Sequence, residues 1–176
     1  MRTVIIGNSG SGKTWLSQKL ATPNAQIIHL DALFWMPGGF DNKRDREEVN
    51  QLIFQSKEHL NWVAEGVFGE LAEHYFDVAQ TLIWLDMSWD LCCSRLEQRG
   101  SESKKHLGRE QTEEGLRKLL DWASHYYDRT DTRSRKGHQS LYNLFQEEKI
   151  LLKSELEVDE YLKSSQTRRC TRTGEL

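Results

Sequence analysis

Eight residues near the start of the chain, Gly7-Asn8-Ser9-Gly10-Ser11-Gly12-Lys13-Thr14, carry the densest chemical signal in the sequence. Their spacing is that of G-x-x-x-x-G-K-S/T, the loop that wraps backbone amides around a polyphosphate. Glycines at 7, 10 and 12 let the backbone take left-handed turns and bring successive N–H groups onto phosphate oxygens without Cβ clashes. Lys13 can reach the β- and γ-phosphates, and the Thr14 hydroxyl can ligate Mg²⁺. A strand-like run, Val4-Ile5-Ile6, leads in, and a helical stretch through Leu16 and Leu20 leads out. The loop therefore sits where a helix N-terminus adds roughly half a positive charge. Asn8, Ser9, Gly10, Ser11, Gly12, Lys13 and Thr14 are the candidate binding residues for ATP with Mg²⁺.

Three carboxylates follow strand-like runs: Asp31 after Ile27–Leu30, Glu65 after Trp62–Ala64, and Asp86 after Leu82–Leu85. In a doubly wound sheet that edge is the ligand crevice, and the phosphate loop opens onto it. Asp31 is the candidate to orient or deprotonate an acceptor hydroxyl, or to hold a water on Mg²⁺. Glu65, followed by Gly66, is the candidate to hold the metal through water. Asp86 ranks third for the metal, because Asp86-Met87-Ser88-Trp89 also reads as the start of a helix. Arg95 and Arg99 lie four apart and so share a helix face. They are expected to close over the transferring phosphoryl group, where one arginine is worth roughly 10³–10⁵ in rate, with Arg95 also meeting the nucleotide. Arg129, Arg133 and Arg135 either reach the phosphates from the far side or form a plain basic loop. In the aromatic stretch from Phe34 to Phe40, Trp35 or Phe40 either stacks on a planar acceptor or plugs the space under the next helix.

Five runs rich in β-formers must position these groups: 3–6, 26–30, 62–64, 81–85 and 149–152. Most are continuously apolar, as strands buried on both faces of a parallel sheet are. Helical periodicity fills the gaps, around Val49–Phe54, from Trp89 to a Gly100 stop, from Thr112 through Ala123, and after Ser154 as a cap. The pattern is α/β with right-handed crossovers. A polar stretch at about 100–111 reads as a short lid, and 129–139 as a second, arginine-bearing loop. Residues 1–163 read as one domain and 164–176 as a polar tail that frays.

Composition narrows the class. The 176 residues carry 24 Lys+Arg against 27 Asp+Glu, a net charge of -3, which speaks against a nonspecific nucleic-acid binder. No apolar run approaches the roughly 18 residues that suggest a membrane span, and no leader pattern opens the chain. Three cysteines, two of them adjacent (Cys92, Cys93), give no disulfide framework and suggest a cytoplasmic, reduced setting.

Several segments together resemble a known group: the phosphate loop; His29-Leu30-Asp31-Ala32-Leu33-Phe34-Trp35 with Pro37-Gly38; Trp62-Val63-Ala64-Glu65-Gly66; and Leu85-Asp86 leading to Arg95 and Arg99. They look like the bacterial adenylate kinase-related proteins labelled topology modulation proteins, over nearly the whole chain to about Leu162. The resemblance implies a P-loop NTPase of nucleoside-kinase-like type, with a five-stranded parallel sheet of order 2-3-1-4-5 flanked by helices, and ATP binding. It implies that Glu65-Gly66 helps hold Mg²⁺ waters and that Arg95 and Arg99 are lid-root arginines. Glu65-Gly66 is not followed by Pro-Arg, and the lid lacks a cysteine cluster, so no adenylate-kinase acceptor arginine carries over. The resulting expectation is a kinase passing the γ-phosphoryl of ATP to a small hydroxyl or phosphate acceptor. A nucleotide-dependent switch without turnover is the rival reading, and a nucleic-acid-end kinase ranks third.

Overall fold

The computed structural model describes residues 1–37, 42–100 and 113–173, with side chains through residue 167. Five parallel strands form one sheet: β1 (Arg2–Gly7), β2 (Gln26–His29), β3 (Trp62–Gly66), β4 (Thr81–Leu85) and β5 (Glu148–Leu152), in the order β2-β3-β1-β4-β5. The helices are α1 (Lys13–Leu20), α2 (Leu30–Phe34), α3 (Arg46–Lys57), α4 (Gly69–Glu73), α5 (Trp89–Arg99), α6 (Glu113–Ser124), α7 (Arg135–Leu144) and α8 (Glu155–Thr173). This is the P-loop NTPase arrangement, with the loop leaving the central strand.

Alternation along each strand feeds two cores. Val4, Ile6, Trp62, Ala64, Leu82 and Trp84 point to one face, under Val49 and Ile53 of α3, Leu71 of α4 and Leu141 of α7. Ile5, Val63, Ile83 and Leu85 point to the other, under Leu16 and Leu20 of α1, Cys92 of α5 and Val158 and Leu162 of α8. Burial on both faces of β1, β3 and β4 is why those strands read as nearly unbroken apolar runs. The helix starts follow capping chemistry: Asp45 accepts from the Glu47 amide, Ser88 from that of Leu91, Ser134 from that of Gly137 and Ser154 from that of Glu157.

The elements depart from the sequence reading in four places. Leu30 leaves the second strand and opens α2, so Asp31 sits in the first turn of that helix. Strand β3 runs on through Glu65 and Gly66, paired with Ile5 and Ile6 of β1, so Glu65 lies within the strand. The stretch 129–139 is turn-like only as far as Ser134, which caps α7. Helix α8 continues to Thr173, past the expected fraying point. The expected lid lies outside the described residues apart from Gly100, which ends α5 with φ +59°. No helix among the described residues is long and apolar enough to cross a membrane.

A buried polar chain ties one face together. Trp84 Nε1–H donates to the Tyr126 hydroxyl (3.2 Å), which donates to His138 Nδ1 (2.7 Å); His138 Nε2–H donates to the Val67 carbonyl (3.0 Å). A carbonyl only accepts, so His138 Nε2 carries a proton, and in the neutral imidazole Nδ1 then accepts from the Tyr126 hydroxyl. Burial pushes the His138 pKa down to about 3, with the positive charges of Lys13 and Arg129 reinforcing this and the negative charge of Asp131 and the Val67 contact opposing it. The unfolded chain takes up a proton near pH 6.5 that the folded chain refuses. Stability from this group is therefore complete above that pH and falls by about 1.4 kcal/mol per unit as pH drops toward 3. Denaturant unfolding at pH 7 and pH 5 should show His138→Gln losing about 2 kcal/mol less than the wild type over that interval.

Candidate functional site

Strand β1 ends at Gly7 and the chain turns through 8–12 into α1. Gly10 and Gly12 have φ of +81° and +98°, conformations that favour glycine. At Gly10 space adds a second reason: a Cβ there would lie 2.4 Å from the Cys92 carbonyl oxygen. The start of α1 is capped by Gly12 with no side-chain hydrogen bond, so its first amides keep their donor capacity toward an anion. The Ser9 amide donates to Asn8 Oδ1 (2.8 Å), and Asn8 Nδ2 donates to the Ala123 carbonyl (3.0 Å), which anchors the loop to α6. Lys13, almost wholly buried, folds back so that Nζ donates to the Asn8 carbonyl (2.8 Å).

The side chain of Thr14, the second residue of α1, meets the end of β3. Its hydroxyl donates to Glu65 Oε1 at 3.0 Å, and His29 Nδ1 lies 2.6 Å from the same oxygen. Glu65 is 6% exposed. The Glu65 contact raises the His29 pKa above 6.5 against the opposing effect of burial, with a smaller contribution from the charge of Asp31. The sheet edge thus brings together Lys13, Thr14, Glu65 and His29, with Asp31 two residues beyond His29.

The other expected site residues are placed differently. Arg95 donates to the Ser11 carbonyl (2.9 Å) and pairs with Glu155 at the start of α8 (2.7 Å). It lies on the carbonyl side of the phosphate loop. There a cavity of about 610 Å³ is bordered by Gly10, Gly12, Trp15, Arg95, Arg99 and Glu155. Asp86 gives both oxygens to Arg135, Oδ1 to Nε at 2.9 Å and Oδ2 to Nη2 at 2.8 Å. Its carboxylate serves to hold α7 against β4. Arg133 Nε donates to Glu70 (2.7 Å), and its guanidinium lies 4.6 Å and 4.3 Å from the ring centres of Phe34 and Phe68. Arg129 lies 3.9 Å over the Trp122 ring. Each of these three arginines already has a partner within the fold. Phe34 stacks on Phe68 (4.4 Å) and meets Trp35 edge-on (4.8 Å), so these rings plug the space beneath their neighbours. Phe40 lies outside the described residues.

His29 was legible only as part of a family segment. Its contact with Glu65 follows from strand register, which pairs the two residues across β2 and β3 and which a single sequence does not give.

Two features show that the site fits a nucleotide with Mg²⁺. Within the loop the Ser11 hydroxyl is buried without a hydrogen-bond partner among the described residues. At its end the Thr14–Glu65 hydrogen bond turns the hydroxyl proton onto a carboxylate, which leaves the oxygen lone pairs to a cation.

No protein-family model matches the chain, and no curated protein matches it in sequence. Solved structures do. Shikimate kinase from Acinetobacter baumannii, in complex with shikimate, is 15% identical over 100% of this chain and 96% of that one, with a TM-score of 0.52. Shikimate kinase from Bacteroides thetaiotaomicron is 14% identical over 100% and 99%, with a TM-score of 0.48. Deoxyadenosine kinase from M. mycoides with products is 14% identical over 97% and 100%, with a TM-score of 0.43. The likeness to the first, together with the strand order and the loop, defines the chain's class: it has the fold of the small-molecule P-loop kinases.

The close approach at Gly10 gives a direct check. Gly10→Ala adds a left-handed non-glycine residue, worth about 1–3 kcal/mol of strain, and a clash with the Cys92 carbonyl. The variant should melt lower than the wild type and lose nucleotide affinity while keeping its far-ultraviolet circular dichroism.

Proposed function

We propose that the protein is an ATP- and Mg²⁺-dependent phosphotransferase acting on a small hydroxyl- or phosphate-bearing acceptor, and that it works in the cytoplasm as one domain, residues 1–163, with a C-terminal extension. The observation that carries this reading is the Thr14–Glu65 hydrogen bond at the end of the phosphate loop, 3.0 Å long, because it joins a metal-ligating hydroxyl to a carboxylate able to hold metal-bound water. When bound, Mg·ATP supplies the γ-phosphoryl group and the cation that offsets its charge. Asn8, Ser9, Gly10, Ser11 and Gly12 bind the phosphates through backbone amides, and Lys13 exchanges its contact with the Asn8 carbonyl for phosphate oxygens. Thr14 and Glu65 hold the metal, with Asp86 committed to Arg135.

Asp31, at the head of α2 beside this centre, orients the acceptor hydroxyl and takes its proton as the new P–O bond forms and the bond from the γ-phosphorus to the bridging oxygen breaks, releasing ADP. Arg95 and Arg99 border the cavity beside the loop, where the nucleotide base and ribose fit. Arg95 thereby joins nucleotide binding to the loop's carbonyl face, and Arg99 is the arginine left to turn toward the phosphates. The shared segments noted in the sequence support kinship with the topology modulation proteins. The small-molecule kinases among the solved structures support the acceptor class but not its identity.

The test is ADP release with Mg·ATP over a panel of nucleosides, nucleoside monophosphates and hydroxylated metabolites. One acceptor should raise the rate far above hydrolysis, and Lys13→Ala should abolish it. Asp31→Asn should keep nucleotide affinity and lower transfer by about 10²–10⁴-fold. A flat panel with ATP tightly bound would replace the kinase reading with a nucleotide-dependent switch.

A further inference from the structure

We propose that His29 is a positioning residue for the metal site, which fixes the Glu65 carboxylate so that the metal is held; this rests on the nucleotide-site reading above. The argument begins with register. His29 of β2 is paired with Glu65 of β3, and paired residues on neighbouring strands send their side chains to the same face of the sheet. The imidazole and the carboxylate therefore meet without any loop having to fold over, and Nδ1 stands 2.6 Å from Oε1. Facing an ionised carboxylate, Nδ1 is the donor, since carboxylate oxygens only accept.

Thr14 donates to the same oxygen from α1. Two donors fill the two lone pairs of Oε1, and Oε2 keeps its acceptor capacity for a water on the metal. Without His29 the carboxylate is tied, among the described residues, only to Thr14, the residue that must itself turn its oxygen to the metal. Glu65 is then free to rotate about its terminal torsion, which has broad wells. An imidazole holding a carboxylate beside a metal is an outer-shell arrangement, and loss of such a partner typically lowers metal affinity by about 10–100-fold. Burial sharpens the dependence, because a carboxylate that is 6% exposed has little water to replace a missing donor.

The experiment measures nucleotide binding by calorimetry on the full chain, for wild type, His29→Ala and His29→Asn, once in EDTA and once across a Mg²⁺ titration. Asn places an N–H close to the position of Nδ1 without an imidazole. His29→Ala should raise the Mg²⁺ concentration for half-maximal enhancement of ATP binding by about tenfold or more. It should leave EDTA affinity within about twofold of wild type, and His29→Asn should recover most of the loss. Unchanged Mg²⁺ dependence in His29→Ala overturns the inference. So does an equal defect in both variants, or a parallel fall in EDTA affinity, since either marks a merely structural residue. A wild type that binds ATP with no response to Mg²⁺ overturns the metal-site part of the proposed function and the inference with it; a wild type that binds no nucleotide overturns the whole site reading, whereas a Mg²⁺ response unchanged by His29→Ala overturns the inference alone.

Discussion

A carboxylate buried at the end of a parallel strand is the constraint around which this site is arranged. Glu65 has 6% of its surface left to solvent, and an ionised group so placed must be compensated by directed donors. Those donors come from two directions, Thr14 from the helix behind the phosphate loop and His29 from the neighbouring strand. Meeting both at once fixes the register of β2 on β3 and the angle at which α1 leaves β1. A slip of one residue in that register would send His29 to the opposite face. The electrostatic requirement at one oxygen thus fixes the relative positions of three elements.

The arginines show how the same fold spends charge elsewhere. Arg135 and Asp86 join the start of α7 to the end of β4, and Arg133 and Glu70 join the turn before α7 to α4. Planar guanidinium groups suit both jobs, since they pair through two N–H groups and lie flat on aromatic rings. Beneath them runs the Trp84–Tyr126–His138–Val67 chain, which ends one residue past Gly66. The segment following Glu65 is therefore held from below by neutral hydrogen bonds.

The sheet was readable because burial on both faces writes itself as continuous apolar runs, and all five strands appear where those runs lie, within one or two residues. The phosphate loop was readable because glycine spacing, lysine and threonine are fixed by the ligand. What did not show were short elements and pairings. Helices α2 and α4 have five residues each, too few for a 3.6-residue period to declare itself. The N-terminal part of α7 is so polar that Arg135 to Gln139 resembles a loop, although Ser134 is an ordinary cap. Residues Asp86 and Arg135 are 49 apart in sequence, and only the fold reveals that each answers the other. Residue type proposed the candidates, and long-range pairing sorted them into those facing the phosphate loop and those holding the scaffold.

The contact of Gly10 with α5 has a mechanical meaning. With no Cβ, the loop backbone rests directly on the Cys92 carbonyl, and from three residues further along that helix Arg95 reaches back to the Ser11 carbonyl. Helix and loop are thus clamped at two points and must translate together. Gly100, at the far end of that helix, therefore keeps a fixed position relative to the phosphate loop.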